Sequence, residues 1–522
     1  MNIPLYPVAA ASGRAEEQAY DDAPYESNAF GQSHPARIAA IAHLLGLDPP
    51  PVETARVLEL GCASGGNLIP LALHFARAHF TGVDISGRQI ASGAQRAARL
   101  GLKNIELRHA GIESLTAADG KFDYIICHGV YSWVPEPVRD ALLRVCGENL
   151  ADGGIAFVSY NTLPGWHFVQ PVRDLMLYWT QDIVDPAEKS RVAREVLGSV
   201  KDIAAEPAGN IYRKEADTLR PAGASYVLHD HLELHNAPCY LKDFVAHAER
   251  HALAYLGDAA FTLPGLLEST PLLTGLAEKY AAGDIVRAEQ LLDFLRNRRF
   301  RETLLVRKAM QPLIRRSSAL ERLDGLHFRL VETLHKDPPI AAHMAALWCH
   351  PETAIYRTRS SAFKAQSASA SKALAWLAGR GSAGATFTLR DLTIAAGLAA
   401  ETETDMTDGK RHLAALVWEL LGSTTLRAYA CAIRAPTPGR LPMASALALA
   451  DAALGAASTS NVFHEHVKLG DIQRRLLQLL DGKSTPAQLV AGMQEQHGSE
   501  KRFSAVQLES ELESFAENHL LC

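Results

Sequence analysis

The sequence has few cysteines for its length, and none of them are paired at a metal-binding spacing. Seven cysteines are scattered through 522 residues, without any C-x-x-C pair. Disulfide-rich secreted scaffolds and zinc ribbons both need regularly spaced or paired cysteines. The distribution therefore disfavours both classes and indicates a reducing compartment.

Long apolar runs and blocks of like charge are also missing. A membrane-crossing helix needs about 18 or more consecutive apolar residues, and no such run occurs, so we expect no membrane insertion. The first residues do not combine a basic start with an apolar stretch, which predicts no signal peptide and a cytoplasmic location. The formal net charge is -6. Because nucleic-acid binding usually requires a basic excess or stripe, nucleic-acid partners are disfavoured.

The first third of the chain alternates short β-branched runs with amphipathic stretches. Strands are predicted at 56–60, 79–84, 105–109, 122–127 and 154–160, and helices at 66–76, 86–100 and 137–150. This alternation is typical of a doubly wound parallel sheet, so the fold class is predicted to be α/β and Rossmann-like.

The rest of the chain has a different pattern. Residues 170–310 are mostly helical in pattern, and the Ser- and Ala-rich stretch 357–371 is predicted to be a loosely ordered link. Helices are then predicted at 372–378, 389–397 and 410–421, followed by a strand pair in TTLRAYACAIR. Three helices and a hairpin are the outline of a winged helix.

A glycine-rich turn, ELGCASGGN at residues 59–67, follows the first predicted strand. Ala63 stands where dinucleotide-binding turns have their second glycine, and no Lys-Ser or Lys-Thr pair follows, so pyrophosphate and triphosphate loops fit poorly. Glu59 instead suits a ligand with an ammonium group. Asp84 ends the second predicted strand and can accept hydrogen bonds from both hydroxyls of a ribose.

S-adenosylmethionine (SAM) carries both of these groups, and the pattern resembles motif I and the acidic loop of class I SAM-dependent methyltransferases. Where many such enzymes have an aspartate for the adenine amine, this sequence has Gly111, so adenine recognition is expected to rest on backbone groups and packing. The predicted cofactor residues in this part of the chain are Glu59, Gly61, Cys62, Gly65, Asn67, Asp84, Ile85, Gly111, Ile112 and His128. A nicotinamide or other nucleotide, or a turn that needs glycine only for its shape, remain the alternatives.

The loops after the fourth and fifth predicted strands, CHGVYSWVPEPV and SYNTLPGWH, are candidates for the methyl-acceptor site. Neither contains the N-P-P-Y or D-P-P-Y box of amino-methylating nucleic-acid enzymes, nor the Pro-Cys nucleophile of cytosine C5 enzymes. Aromatic walls with a few hydrogen-bond acceptors suit a lysine amine. The predicted acceptor residues are His128, Tyr131, Trp133, Tyr160 and Asn161, with packing beneath the ligand as the alternative for each aromatic ring.

A more specific resemblance covers most of the chain in blocks. The blocks are YDDAPYESNAFGQSHPARIAAIA, VLELGCASGGNLIP, HGVYSWVP, SYNTLPGWH, YVLHDHLELHNAPCYLKDFVAHAERHALAYLGDA, LLDFLRNRRFRETLL and VFHEHVKLGDIQRRLLQLLDG. They resemble the bacterial protein-lysine methyltransferases first associated with rickettsial outer-membrane protein B. The resemblance implies a class I methyltransferase domain with an amino-terminal lid at 1–170, a mainly helical regulatory region at 171–320, and winged-helix-like elements at 321–522.

The same resemblance implies that Tyr20, Tyr25 and Phe30 form a lid over SAM, with Tyr20 and Tyr25 among the cofactor residues, and that the acceptor is a lysine on a protein substrate. It leaves homo-oligomerisation open. A small-molecule methyltransferase and a non-enzymatic SAM-binding regulatory protein are the two alternative functions.

Two polar segments need a separate interpretation. HDHLELH places His229, His231, Glu233 and His235 at alternate positions, which is zinc-ligand chemistry, but its leucines fit no clean period. We expect either a docking or substrate-facing role or a simply structural one there, and assign no metal. The arginines of RNRRFR, residues 296–301, are interpreted as the solvated face of a helix or as partners of Asp293 and Glu302.

Overall fold

The computed structural model of the chain describes residues 26–202, 208–220, 223–233, 235–260, 271–316, 320–337, 354–381, 385–398, 406–434, 439–497 and 503–522. Its central element is a seven-stranded sheet. The strands of this sheet are β1 (Arg56–Leu60), β2 (His79–Asp84), β3 (Ile105–His109), β4 (Phe122–Cys127), β5 (Leu150–Asn161), β6 (Leu253–Asp258) and β7 (Phe300–Arg307). Their order across the sheet is β3-β2-β1-β4-β5-β7-β6.

Helices cover both faces of this sheet and build much of the remaining structure. In chain order they are α1 (Pro35–Leu44), α2 (Leu68–His74), α3 (Gly87–Arg99), α4 (Glu136–Asn149), α5 (Trp166–Thr180), α6 (Pro186–Val200), α7 (Ala208–Leu219), α8 (Ala224–His231), α9 (Leu241–Arg250), α10 (Pro271–Ala281), α11 (Ile285–Arg296), α12 (Ala368–Arg380), α13 (Leu389–Ala395), α14 (Met406–Gly422), α15 (Ala446–Ala453), α16 (Asp471–Leu479), α17 (Pro486–His497) and α18 (Ala505–Glu517).

The first five strands of the sheet are parallel, and the predicted α/β class is confirmed. Leu58 of β1 lies beside Thr81 of β2 and Ile125 of β4. Successive residues of a strand point to opposite faces. Val57 and Tyr124 accordingly belong to one apolar core, and Leu58 and Ile125 to another. Burial of both faces explains why β4 and the middle of β5 are nearly continuous apolar runs in the sequence.

Two strands of the sheet, β6 and β7, lie in the stretch that was predicted to be mainly helical. Strand β7 pairs antiparallel with β5, and β6 pairs antiparallel with β7. The segment LLDFLRNRRFRETLL is therefore not one helix. Helix α11 ends at Asn297, which adopts the left-handed conformation typical of a helix terminus, and β7 begins three residues later. The sheet thus continues past residue 170. The domain boundaries at 170 and 320 stay predictions.

Arg301 of β7 is fully buried. The interpretation of the RNRRFR arginines as the solvated face of a helix is therefore wrong for this residue. Its guanidinium donates to both carboxylate oxygens of Asp293 at 2.8 and 2.9 Å, to Glu289 at 3.0 Å and to Asp258 at 3.3 Å. Arg298 donates to the other oxygen of Asp258 at 2.8 Å. The arginine-rich segment thus fastens β7 to α11 and β6, and Asp293 is the partner that the sequence suggested.

The remaining described strands form small sheets. They are β8 (His327–Leu330), β9 (His335–Lys336), β10 (Ile355–Arg357), β11 (Ala362–Lys364), β12 (Phe387–Thr388), β13 (Leu426–Tyr429), β14 (Ser458–Ser460) and β15 (His466–Lys468). The strand pair predicted in TTLRAYACAIR is wrong, because β13 pairs with β8 far upstream. The stretch 357–371, predicted as a link, contains β11 and the beginning of α12.

The carboxy-terminal helices form a separate core and also contact the large sheet's helices. Leu476, Met493 and Phe515 pack together within this core. Arg96 of α3 makes a two-pronged ion pair with buried Asp451 of α15, both distances being 2.7 Å. Among the described helices, none combines the length and the apolar composition that a bilayer crossing requires.

Replacing Arg301 with methionine is expected to destabilise the β6–β7 edge of the sheet. The substitution leaves three carboxylates buried around an absent cation, and breaking a buried ion pair typically costs about 3–5 kcal/mol. Hydrogen exchange of the β7 amides, measured by mass spectrometry, should speed up by more than about 100-fold. Arg307→Met is the control, since its partner Asp152 is 99% exposed; equal exchange in the two variants would contradict this account.

Candidate functional site

A cavity of about 520 Å³ lies at the carboxyl ends of the central parallel strands. In open α/β sheets, ligands bind in this position because the loops after the strands diverge there. The wall is formed by Ser27, Asn28, Phe30, Glu59, Gly61, Cys62, Ala63, Asn67, Asp84, Ile85, Ser86, Gln89, Ala110, Gly111, Ile112, Glu113, His128, Gly129, Val130, Trp133, Val134, Val138, Asn161, Trp166, Val169, Glu215, Thr218, Tyr226, His231, Glu233, Arg299 and Phe300.

The glycine-rich turn after β1 is held closely on two sides. Gly61 has a φ of +75°, and a Cβ there would lie 2.4 Å from the Val130 side chain of the loop after β4. A Cβ at Gly66 would lie 2.0 Å from the carbonyl oxygen of Ser27. Because only glycine leaves this space, the loop after β4 and the segment before α1 can both pack against the turn.

Glu59 ends β1 as a buried carboxylate at the cavity wall. Its Oε1 accepts a hydrogen bond from Asn67 Nδ2 at 2.8 Å, whereas Oε2 is buried without a hydrogen-bond partner among the described residues. Burial, and secondarily the nearby charge of Asp84, raises the pKa of Glu59 to about 8. A cationic donor from a ligand would satisfy the orphaned oxygen and stabilise the ionised form.

Asn67 connects this carboxylate to distant parts of the chain. Its Oδ1 accepts hydrogen bonds from the backbone N–H of Phe30 at 3.1 Å and from Nε2 of His464 at 2.6 Å. His464 is buried, and burial lowers its pKa to about 3, so its imidazole is neutral at physiological pH. The carboxy-terminal region thus reaches the turn directly, a contact that the sequence did not predict.

Asp84 ends β2 on the other side of the turn. Its Oδ2 accepts the backbone N–H of Ala63 at 2.7 Å, and its Oδ1 accepts the backbone N–H of Ser86 at 2.9 Å. These bonds fix the carboxylate at the cavity wall, where its oxygens act as hydrogen-bond acceptors. Ala110, Gly111 and Ile112 line the wall beyond it, next to the end of β3.

His128 and Phe30 form the next part of the wall. Their ring centroids are 3.8 Å apart. Burial lowers the pKa of His128 to about 4, so the ring is neutral at physiological pH. Ser159 Oγ accepts the Gly129 N–H at 2.8 Å and lies 3.2 Å from His128 Nδ1, which favours a hydrogen bond from the serine hydroxyl to Nδ1 and a hydrogen on Nε2.

Trp133 and Trp166 form an aromatic wall farther along the cavity, with ring centroids 6.0 Å apart at 80°. Asn161 lies beside them, and its Nδ2 donates to Asn236 Oδ1 at 3.0 Å. Trp133 and Asn161 were predicted as acceptor-site residues. Trp166, which lies in the same loop sequence as Asn161, was not included in that prediction.

The far end of the cavity includes His231 and Glu233 of the HDHLELH segment, for which a substrate-facing role was one expectation, together with residues that the sequence did not place there. Arg299 makes an ion pair with buried Glu215 at 2.5 Å. Burial, with the nearby charges of Arg173 and Arg299, lowers the pKa of His231 to about 4. The other contributors from this part of the chain are Thr218, Tyr226, Glu233 and Phe300. The alternate polar positions of HDHLELH were the signal that could have located this wall.

Three predicted residues do not line the cavity. Tyr160 follows Ser159 on β5 and therefore points to the opposite face, where its ring stacks on Phe244 at 4.1 Å. Tyr131 packs on Phe244 in the same core. Gly65 has a φ of +72° and faces Ile69 and Leu107, so its role is to shape the turn. These placements correct the sequence prediction for all three.

The other predicted positions divide into two groups. The residues that line the cavity as expected are Glu59, Gly61, Cys62, Asn67, Asp84, Ile85, Gly111, Ile112, His128, Trp133 and Asn161. Tyr20 and Tyr25 of the predicted lid lie outside the described residues, whereas Phe30 of that lid is at the cavity wall.

Three domain families match separate stretches of the chain. They are "Methyltransferase domain" at residues 57–154, "Predicted methyltransferase regulatory domain" at 223–307 and "PKMT, C-terminal winged helix domain" at 441–519. The prediction of a carboxy-terminal winged helix is confirmed, although its match begins after the three helices at 372–421 that suggested it.

Two relatives come from Rickettsia prowazekii (strain Madrid E). The uncharacterized protein RP789 is 44% identical over 294 residues, which are 56% of this chain and 53% of RP789. The uncharacterized protein RP028 is 37% identical over 234 residues, which are 44% of this chain and 94% of RP028. The match thus spans about half the length of the first relative and nearly all of the second.

Solved structures extend the likeness to almost the whole chain. The structure of PKMT2 from Rickettsia typhi is 28% identical and covers 95% of this chain and 100% of its own, with a TM-score of 0.80. A structure of the same protein in complex with AdoHcy is 27% identical with the same coverage and a TM-score of 0.80.

The raised pKa of Glu59 predicts a pH-dependent stability for the ligand-free protein. Between pH 4.5, the ordinary pKa, and about 8, the folded state keeps a proton that the unfolded state has released. Stability therefore falls as pH rises through this window. Glu59→Gln removes this pH-dependent loss of stability. The thermal midpoint of the variant minus that of the native chain should therefore increase from pH 5 to pH 8.5. Glu113→Gln, at an exposed position on the same wall, is the control; a pH-independent difference for Glu59→Gln would contradict the prediction.

Proposed function

We propose that this chain, which belongs to the same family as the Rickettsia prowazekii protein RP028 and is a SAM-dependent methyltransferase, methylates lysine side chains of a protein substrate. The single observation that carries the proposal is one continuous cavity. It runs from two carboxylates at the strand ends, past the rings of Trp133 and Trp166, to an end wall that contains residues from the region after β5.

The residues at the strand ends fit SAM. Glu59 has an orphaned buried oxygen for the ammonium group of the methionine moiety, and Asp84 places an acceptor carboxylate at the wall for the ribose hydroxyls. Gly111 and Ile112 lie where the adenine ring would then extend, and Ile112 supplies apolar packing. When bound, SAM supplies an electrophilic methyl group on a sulfonium centre, and the protein's task is to align an amine with it.

The far wall fits a lysine side chain. Trp133, Trp166 and Phe300 offer ring surfaces for the aliphatic stem and the cationic head of a lysine. Glu215 and Glu233 line the same wall, Glu215 within its ion pair with Arg299. The match to the PKMT winged helix domain supports the same acceptor, and the AdoHcy complex of PKMT2 supports the same cofactor.

A lysine must lose a proton before its nitrogen can take the methyl group, because its reference pKa is near 10.4. The two histidines of the wall, His128 and His231, have pKa values near 4 and hold a proton poorly at neutral pH. They act as hydrogen-bond partners that orient the amine, and the proton leaves through water. Apolar surroundings aid this step by disfavouring the charged amine.

Replacing Asp84 with asparagine is expected to weaken AdoHcy binding by about 10-fold or more, which corresponds to about 1–3 kcal/mol for unpaired polar groups. Binding is measured by calorimetry. Asp123→Asn is the matched control, since Asp123 also accepts a backbone N–H, from Arg56, but at the opposite end of the sheet. Equal affinities in both variants would remove Asp84 from the cofactor site.

Replacing Trp166 with alanine is expected to slow methylation about 10-fold while AdoHcy affinity changes much less, because the ring belongs to the acceptor wall. The native chain and its variants are incubated with methyl-labelled SAM and a lysate of the source cells, and protein hydrolysates are analysed for methyl-lysine. Trp179→Ala is the control on the same helix, since Trp179 is 59% exposed.

The destination of the label separates the candidate functions. Methyl-lysine in protein that depends on Asp84 supports the proposal. Label only in small molecules would identify a small-molecule methyltransferase, and no transferred label would indicate a SAM-binding protein without catalytic activity.

A further inference from the structure

A cluster of metal-ligating side chains lies outside the cavity, at the contact between α4 and α9. Asp140 Oδ1 accepts hydrogen bonds from His247 Nε2 at 3.1 Å and from His251 Nε2 at 2.9 Å. The potential ligand atoms of these three residues all lie within 4.8 Å of one another. Among the residues that the structure describes, this is the one group with such an arrangement.

We propose that Asp140, His247 and His251 bind a divalent transition metal, for which Zn²⁺ is the reference ion. Two imidazoles and one carboxylate are a ligand set that zinc uses, with water completing the tetrahedron. Ligand atoms around a tetrahedral Zn²⁺ lie about 3.3 Å apart, so the observed distances between oxygen and nitrogen need to widen by less than about 0.5 Å. The metal-free hydrogen bonds therefore hold the carboxylate oxygen near the required distance from both nitrogens.

A second hydrogen bond orients one of the ligands. His247 Nδ1 lies 2.7 Å from the hydroxyl of Tyr131. Without metal, Nε2 must carry the hydrogen that reaches Asp140, so Nδ1 accepts from Tyr131. With metal on Nε2, the hydrogen moves to Nδ1, which then donates to the Tyr131 oxygen. A ligating histidine almost always donates its other N–H in this way.

The charges around the cluster limit the affinity without preventing binding. Asp140 supplies one negative charge, and its side chain is 52% exposed, so water has access. Arg139 and Arg250 are the nearby cations, and both oppose positive charge at this position. We therefore expect an affinity weaker than that of closed structural zinc sites.

The cluster lies between two stretches of the chain that match different domain families, so a bound ion would connect them. Asp140 belongs to the stretch that matches a methyltransferase domain, and both histidines belong to the stretch that matches a regulatory domain. Tyr131 directly follows Val130, which packs against the Gly61 turn. A bound ion would fasten the two stretches together and hold the loop that carries Trp133.

Zn²⁺ titration of the full chain by calorimetry tests the proposal, with thermal melting as a second measurement. The native chain should bind one Zn²⁺ through this cluster and melt at a higher temperature with Zn²⁺ than with a chelator. His251→Gln keeps a hydrogen-bond donor and should lower the affinity at least 10-fold, as should Asp140→Asn at its half-exposed position. His79→Gln, at an exposed position, is the control.

Substitution by Co²⁺ adds a spectroscopic measurement. Tetrahedral coordination by these residues should give visible absorption in the native chain and in His79→Gln, and none in His251→Gln. Either failure of the native chain to bind Zn²⁺, or equal affinity and stoichiometry in the native, His251→Gln and Asp140→Asn chains, would overturn the proposal. Neither outcome decides whether the chain transfers methyl groups, because the three ligands do not line the cavity.

Discussion

The buried carboxylate of Glu59 is the constraint on which the site depends. Taking an ionised carboxylate out of water is costly unless hydrogen bonds compensate for the loss. The chain provides one such bond through Asn67, and it positions Asn67 with the backbone of Phe30 and the ring of His464. Segments from the beginning, the sheet and the end of the chain therefore meet at one side chain, which explains why the cofactor turn and the carboxy-terminal region form a continuous structure.

The site is assembled by two regions with different tasks. The strand ends supply fixed acids and a turn whose glycines admit close packing. The region after β5 extends the same sheet by two strands and places Arg299 and Phe300, at the start of β7, on the far wall of the cavity. The buried ion-pair cluster around Arg301, one residue further, fixes this edge of the sheet. The same arginine-rich segment thus serves both stability and the shape of the cavity.

Much of the sheet and of the cofactor end could be predicted from the sequence, because local patterns determine them. Apolar runs of strand length, the glycine-rich turn and an acid at the end of β2 are all local. The errors have non-local causes. Tyr131 and Tyr160 were predicted as site residues because they occur in the loop sequences after β4 and β5. Tyr160 points into the core because side chains alternate along β5, and both rings pack against Phe244, which is distant in sequence. Strand β7 was not predicted because its arginine-rich sequence resembles an exposed helix. The buried acidic partners of Arg301 lie on α11 and β6, and a local sequence pattern does not identify them.

A crystal structure of the chain with AdoHcy tests the central claim most directly. The account predicts that the amino group of AdoHcy contacts Glu59, that both ribose hydroxyls contact Asp84, and that the sulfur faces the wall of Trp133 and Trp166. An AdoHcy molecule bound elsewhere, or bound in the cavity without contacting these two carboxylates, would contradict it.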